Sequence, residues 1–258
     1  MLHHEARGTG PDLVMVHGWG MHSGVWSDWA DTLAGRFRVH LVDLPGHGRS
    51  DFTVGCSLDD WSAALAEVVP DGAFALGWSL GGLVMQNLAR LAPQKLGALV
   101  LVASTPRFVR APDWPCAVEG AVFSQFAAEL EQSVERTLVR FLSLQVRGSE
   151  GGGDLLRRLR VPLKAHPYPR PAALRAGLHL LEDGDLRELP PPAAAPYWLF
   201  GERDTLVPVA VRHCVPGRHR VIAGAGHAPF LSHPRECSDC VGAWLGQAQA
   251  GAGCHAGD

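Results

Sequence analysis

The chain has 258 residues, of which 47% are apolar and 19% charged, and its net charge is -3. That composition suits one large core and excludes a disordered or acidic-tail protein. It offers no basic surplus for nucleic acid or a membrane surface, and no apolar run approaches the roughly 18 residues that span a bilayer.

Residues 1–12 (MLHHEARGTGPD) contain no basic stretch leading into an apolar one. No secretory signal is therefore expected, and the expected location is cytoplasmic. Short apolar runs follow at 13–16 (LVMV), 39–42 (VHLV), 74–76 (FAL) and 98–102 (ALVLV), then at 197–200 (YWLF) and 220–223 (RVIA). Apolar runs without alternation suit strands covered on both faces, as in a parallel sheet. Helical patterns at 80–92 and 237–245 follow the third and last of these runs. Strand alternating with helix predicts a doubly wound α/β sheet, with its core in 1–105 and 190–247.

The alternation stops between 106 and 189. Apolar residues at 123, 126, 127, 130, 134, 138, 141 and 142 have helical spacing and predict a helical run over 123–145. A glycine run at 151–153, a second helical stretch at 154–160, and prolines at 167, 169 and 171 complete this stretch. It reads as a helical lid inserted at one edge of the sheet, and Pro190, Pro191 and Pro192 mark the return to the core. Residues 248–258 are small and polar and read as an unordered tail.

Six cysteines stand at 56, 116, 214, 237, 240 and 254. In a cytoplasmic protein they are expected to be free thiols. Cys237 and Cys240 form a CxxC with no second ligand pair, so they read as two small residues on the last helix. No metal and no cofactor are expected.

The strongest local signal is Gly77-Trp78-Ser79-Leu80-Gly81, between an apolar strand and a helix. A GxSxG in that context forms a sharp strand-to-helix turn that lifts the serine hydroxyl to the sheet edge. Serine is a weak nucleophile and needs a base, oriented by an acid that precedes it in the chain. Asp204 in Gly201-Glu202-Arg203-Asp204 follows one strand, and His227 in Gly224-Ala225-Gly226-His227 follows the last. Glu202 is the rival acid, but it sits earlier in the turn. His233 is the rival histidine, but it precedes Pro234 and starts the final helix. The oxyanion needs two backbone N–H donors. Leu80 follows the nucleophile, and Trp19 lies in the His17-Gly18-Trp19-Gly20 loop after the first core strand. The Asp43-Leu44-Pro45-Gly46-His47-Gly48-Arg49-Ser50 segment reads as a structural turn, with no catalytic role for Asp43, His47 or Ser50.

HGWG, DLPGHGRS, GWSLGG, GERDTLVP and GAGHAPFLSHP together resemble the α/β-hydrolase family, over about residues 11–245. VERTLVRFLSLQVRGSE resembles the lid of one branch of that family. Its members remove the methyl ester from a pimeloyl chain held on acyl-carrier protein, a step in biotin synthesis. The resemblance implies Ser79, Asp204 and His227 as a triad and Trp19 and Leu80 at the oxyanion. It also implies that Phe141, Leu142, Ser143, Leu144 and Gln145 line the acyl path. Arg136, Arg140 and Arg157 fall where that branch meets its acidic carrier protein. A further arginine of the branch falls on Gly153, with Arg158 and Arg160 as nearby substitutes. A monomer is expected. The same triad also serves short-chain carboxylesterases and C–C bond hydrolases, and the fold alone also serves proteins that only bind a ligand.

Overall fold

The computed structural model describes residues 1–53, 55–165, 168–187 and 195–254. Pro167, Pro190 to Pro192 and the expected return to the core at 189–190 lie outside them. Among the described residues, seven strands form one sheet: β1 (His4–Arg7), β2 (Asp12–Val16), β3 (Arg38–Val42), β4 (Ala73–Trp78), β5 (Leu96–Val102), β6 (Tyr197–Gly201) and β7 (Arg218–Ile222). Their order is β1-β3-β2-β4-β5-β6-β7. The pairs from β3 across to β7 are parallel, and β1 runs antiparallel to β3 at the edge. The six strands expected from apolar runs are all present. The seventh, β1, is HEAR, with exposed and half-buried residues in alternation. An edge strand of that kind leaves no apolar run to read.

The helices are α1 (Ser27–Leu33), α2 (Leu58–Ala66), α3 (Leu80–Leu91), α4 (Ala121–Gln132), α5 (Val134–Gln145), α6 (Gly152–Ala165), α7 (Pro171–Asp183), α8 (Pro229–Ser232) and α9 (Pro234–Cys254). α2 opens on a capping box in which Ser57 and Asp60 each bond the other's backbone N–H. No helix among the described residues is long and apolar enough to cross a membrane.

The single helical run expected over 123–145 is two helices. Ser133 breaks it with an extended backbone (φ -165°), and its hydroxyl accepts from Arg136 N at 3.4 Å to cap α5. A serine in mid-pattern satisfies a new helix start as readily as it continues an old one. The tail expected to be unordered after Gln247 is helical to Cys254. Its alanines and glutamines are good helix formers and carry α9 onward.

α4 to α7 all lie between β5 and β6. The stems of this insertion are joined at its base, where Arg107 and Asp185 pair as an isolated bridge with an ion pair at 2.5 Å. Arg187 bonds Asp185 and Asp113, each at 2.8 Å, and covers the Trp114 ring.

The fold brings the ends of β2, β4, β6 and β7 to one edge. β3 lies on one side of β2 and β4 on the other, so the chain reverses its direction of travel there. The carboxyl ends of strands at such a reversal form the crevice in which α/β sheets place ligands.

Candidate active site

β4 runs directly into Ser79, which has φ 55° and ψ -119°. A non-glycine residue at positive φ is strained and persists only where its surroundings hold it. Here Ser79 N donates to Val102 O at 3.0 Å, and Ser79 O accepts from Ser104 Oγ at 2.8 Å and Gly82 N at 2.9 Å. The turn also explains its glycines. A Cβ on Gly77 would lie 2.6 Å from Gly82 Cα, and one on Gly81 would lie 2.4 Å from Val16 O.

The loop after β7 delivers His227. Its N–H donates to Gln145 O at 3.0 Å, and its carbonyl accepts from Trp78 Nε1 at 2.8 Å. The imidazole lies between two partners, with Nε2 2.9 Å from Ser79 Oγ and Nδ1 2.8 Å from Asp204 Oδ2. The other carboxylate oxygen of Asp204 accepts from Leu206 N at 2.8 Å and Val207 N at 2.9 Å, which fixes its plane. The His227 and Asp204 side chains are 1% and 0% exposed, so water does not compete for these bonds. The two rivals lie elsewhere. Glu202 is exposed and accepts from Gly224 N at 2.8 Å, bracing the histidine loop. His233 bonds Ser232 Oγ at 2.8 Å, just before α9.

The loop after β2 passes against the serine, since a Cβ on Gly18 would be 3.2 Å from Ser79 Cβ. Trp19, next in the chain, is fully buried. Leu80 is the first residue of α3, where N–H groups have no partner within the helix. The loop is held from behind by His17. Leu44 N donates to His17 Nε2 at 2.9 Å, so the neutral ring carries its proton on Nδ1 and donates it to Gly18 O at 2.8 Å. His47 lies alongside, with ring centroids 5.4 Å apart, and its Nδ1 meets Pro45 O at 2.9 Å. The Asp43 carboxylate accepts from Ser23 N at 2.6 Å and Arg49 N at 2.9 Å. The 43–50 segment is thus a hydrogen-bonded turn that supports the site without entering it.

Burial, with His47 alongside, takes His17 down to about 3, and burial takes His47 down to about 4. Both rings are neutral in the folded protein at pH 7. As pH falls below about 6.5, the unfolded chain takes up these protons and the folded one does not, so stability falls with pH. The slope is about 1.4 kcal/mol per pH unit for each group once the unfolded histidines are charged. Urea midpoints should therefore drop between pH 7 and pH 5. A midpoint that holds or rises over that range contradicts this account.

The expected acyl-path segment divides by helix face. Phe141, Leu142 and Gln145 are buried, and Phe141 meets the Trp19 ring edge-on at 4.7 Å. Ser143 is not brought to the site: it is exposed, and its hydroxyl bonds Val139 O at 2.9 Å. Leu144 is half-buried. Five consecutive helical residues sweep more than a full turn, so they cannot all line one cavity.

The arginines are partly engaged within the chain. Arg136 is exposed, whereas Arg140 pairs with Glu129 and covers the Phe126 ring at 5.2 Å. Arg157 is 76% exposed and pairs with Asp154 at 2.5 Å. Arg158, a substitute for the arginine missing at Gly153, stays at the surface but is engaged within the chain, donating to Leu231 O at 2.6 Å and pairing with Asp28 at 3.4 Å. Cys237 and Cys240 have thiols pushed up by burial, so neither is a ready thiolate. No group of three or more metal-ligating side chains gathers among the described residues.

A strained serine at a strand-to-helix turn, bonded to a late histidine and a strand-end aspartate on a mostly parallel sheet, defines a class of fold and site. The chain belongs to the Alpha/beta hydrolase family, whose model matches residues 13–239. It is 43% identical over 248 residues to the Pimeloyl-[acyl-carrier protein] methyl ester esterase of Nitrosomonas europaea, covering 94% of this chain and 98% of that protein. It is 44% identical over 247 residues to the protein of the same name from Xanthomonas axonopodis pv. citri, covering 93% and 97%. Among solved structures, the esterase EaEST from Exiguobacterium antarcticum has the same fold, with a TM-score of 0.83 at 19% identity and 95% of each chain covered.

Proposed function

We propose that this chain is a cofactor-free serine carboxylesterase that hydrolyses the methyl ester of a pimeloyl chain carried on acyl-carrier protein, freeing the carboxylate for biotin synthesis. The observation that carries the reading is the 43% identity to an enzyme of that name over 94% of the chain, insertion included. The Ser79–His227–Asp204 hydrogen bonds supply chemistry that fits it.

His227 Nε2 takes the Ser79 proton as Ser79 Oγ attacks the ester carbonyl. The N–H groups of Trp19 and Leu80 stabilise the oxyanion. Collapse expels methanol, which takes the proton back from His227. Water then attacks the acyl-enzyme with His227 again as base, releasing the acid and restoring Ser79. Asp204 holds the imidazole in the tautomer and orientation each step needs. The insertion acts as a lid. Its buried α5 face at Phe141, Leu142 and Gln145 walls the acyl path, and Arg136, Arg140 and Arg157 meet the carrier. Purified protein with methyl pimeloyl-carrier protein should yield a product about 14 Da lighter, read by mass spectrometry. Hydrolysis of short esters with no preference for the carrier-linked one would favour a general esterase instead.

Residues 136–160 hold six arginines and two acids, a local balance of +4 in a chain of net charge -3. Such a patch steers an acidic partner, and rim charges act mainly on association rate. Changing Arg136, Arg140 and Arg157 to Ala should lower kcat/KM for the carrier-linked ester about tenfold at low salt. The deficit should shrink as salt rises. Hydrolysis of p-nitrophenyl butyrate should stay near wild type. Because Arg140 also joins α5 to Glu129 of α4, equal losses on both substrates would give the arginines a structural role instead.

A further inference from the structure

α7 lies directly on the two residues assigned to the oxyanion hole. The indole Nε1 of Trp19 donates to Leu174 O, in the first turns of α7, at 2.8 Å in a buried bond. One turn further, a Cβ on Gly177 would lie 2.7 Å from Trp19 Cδ1, 3.2 Å from Trp19 Nε1 and 3.2 Å from Leu80 Cδ2. Glycine in a helix interior is unfavourable relative to alanine. Here its missing side chain is the space the Trp19 ring occupies. The start of α7 is anchored separately, as Arg170 N donates to Gly46 O at 2.9 Å in the turn after β3.

We infer that α7 is a fixed wall of the oxyanion hole and that Gly177 is a positioning residue, acting through Trp19 and Leu80 on the placement of their backbone N–H groups. The inference rests on the serine-esterase reading above. It separates α7 from the rest of the insertion: α7 cannot swing away from the core without releasing the Trp19 indole. An added methyl at 177 has to displace the indole, because the opposite side of the contact is helix backbone. A shift of the loop behind Trp19 moves a donor whose value depends on its distance from the developing oxyanion.

The test compares wild type, Gly177→Ala, Trp19→Leu and the double variant on p-nitrophenyl butyrate, with inhibition by butaneboronic acid, which forms a tetrahedral adduct on an active serine. Gly177→Ala should lower kcat about 10- to 100-fold with little change in KM. The boronate inhibition constant should rise by a matching factor. In the Trp19→Leu background, where a flexible side chain can yield, the same change should cost much less. Near-wild-type kcat in Gly177→Ala overturns the inference. So does an equal loss in both backgrounds, or a loss confined to KM with boronate affinity intact. If Gly177→Ala does not fold, Trp19→Phe serves in its place, because it removes the indole donor to Leu174 and keeps the backbone N–H. It should lower kcat and boronate affinity together, and no change in either overturns the inference. Failure of the underlying reading looks different: wild type would then be insensitive to the boronate, and Ser79→Ala would turn over normally.

Discussion

Ser79→Ala should lower kcat for ester hydrolysis by roughly a million-fold, the loss found when the nucleophile of a comparable triad is removed. The residual rate reflects the oxyanion donors and substrate binding alone. The fold should survive. The Ser79 hydroxyl bonds His227, while the strained turn is held by backbone and Ser104 contacts that the substitution leaves in place. Steady-state kinetics with a matched far-ultraviolet circular dichroism spectrum check both halves. A folded variant with near-normal turnover would remove serine from the mechanism.

Asp204→Asn should lower kcat by about 10⁴, by analogy with a serine protease in which the equivalent change leaves the histidine in the wrong tautomer. The geometry gives the reason. Asp204 Oδ2 accepts from His227 Nδ1, so Nε2 presents its lone pair to Ser79 Oγ. Asparagine can turn its NH₂ toward Nδ1, which places the ring proton on Nε2 and disables the base. The bonds from Leu206 N and Val207 N to the other oxygen still want an acceptor there, so they favour that disabling rotamer. Glu202→Gln should be mild, because Glu202 contacts Gly224 N of the histidine loop rather than the imidazole. If Glu202→Gln does the greater damage, the acid is assigned to the wrong residue.

The sequence alone was enough for the parts whose signal is local. Apolar runs without alternation identify β2 to β6 because strands covered on both faces have no polar face to interrupt them. β7, by contrast, is an edge strand with Arg218, His219 and Arg220 exposed, and only its end falls in an apolar run. GWSLG identifies the elbow because only glycine tolerates backbone within 3 Å at positions 77 and 81. The Ser, Asp, His order is the pattern that the resemblance implies, and the parallel sheet brings the three residues together because β4, β6 and β7 end at one edge. Where the signal depends on what a residue meets across the fold, tertiary structure decided. β1 pairs at an edge and carries no apolar run. Ser133 could continue a helix or start one, and it starts α5. Which of residues 141 to 145 face inward is a matter of helix phase, set by the packing of Phe141 on Trp19. Arg140 and Arg158 are surface charges, but only the fold shows their partners, Glu129 for one and the Leu231 carbonyl with Asp28 for the other. The close approach of Gly177 to Trp19 joins residues 158 positions apart, and nothing short of the packed fold brings them together.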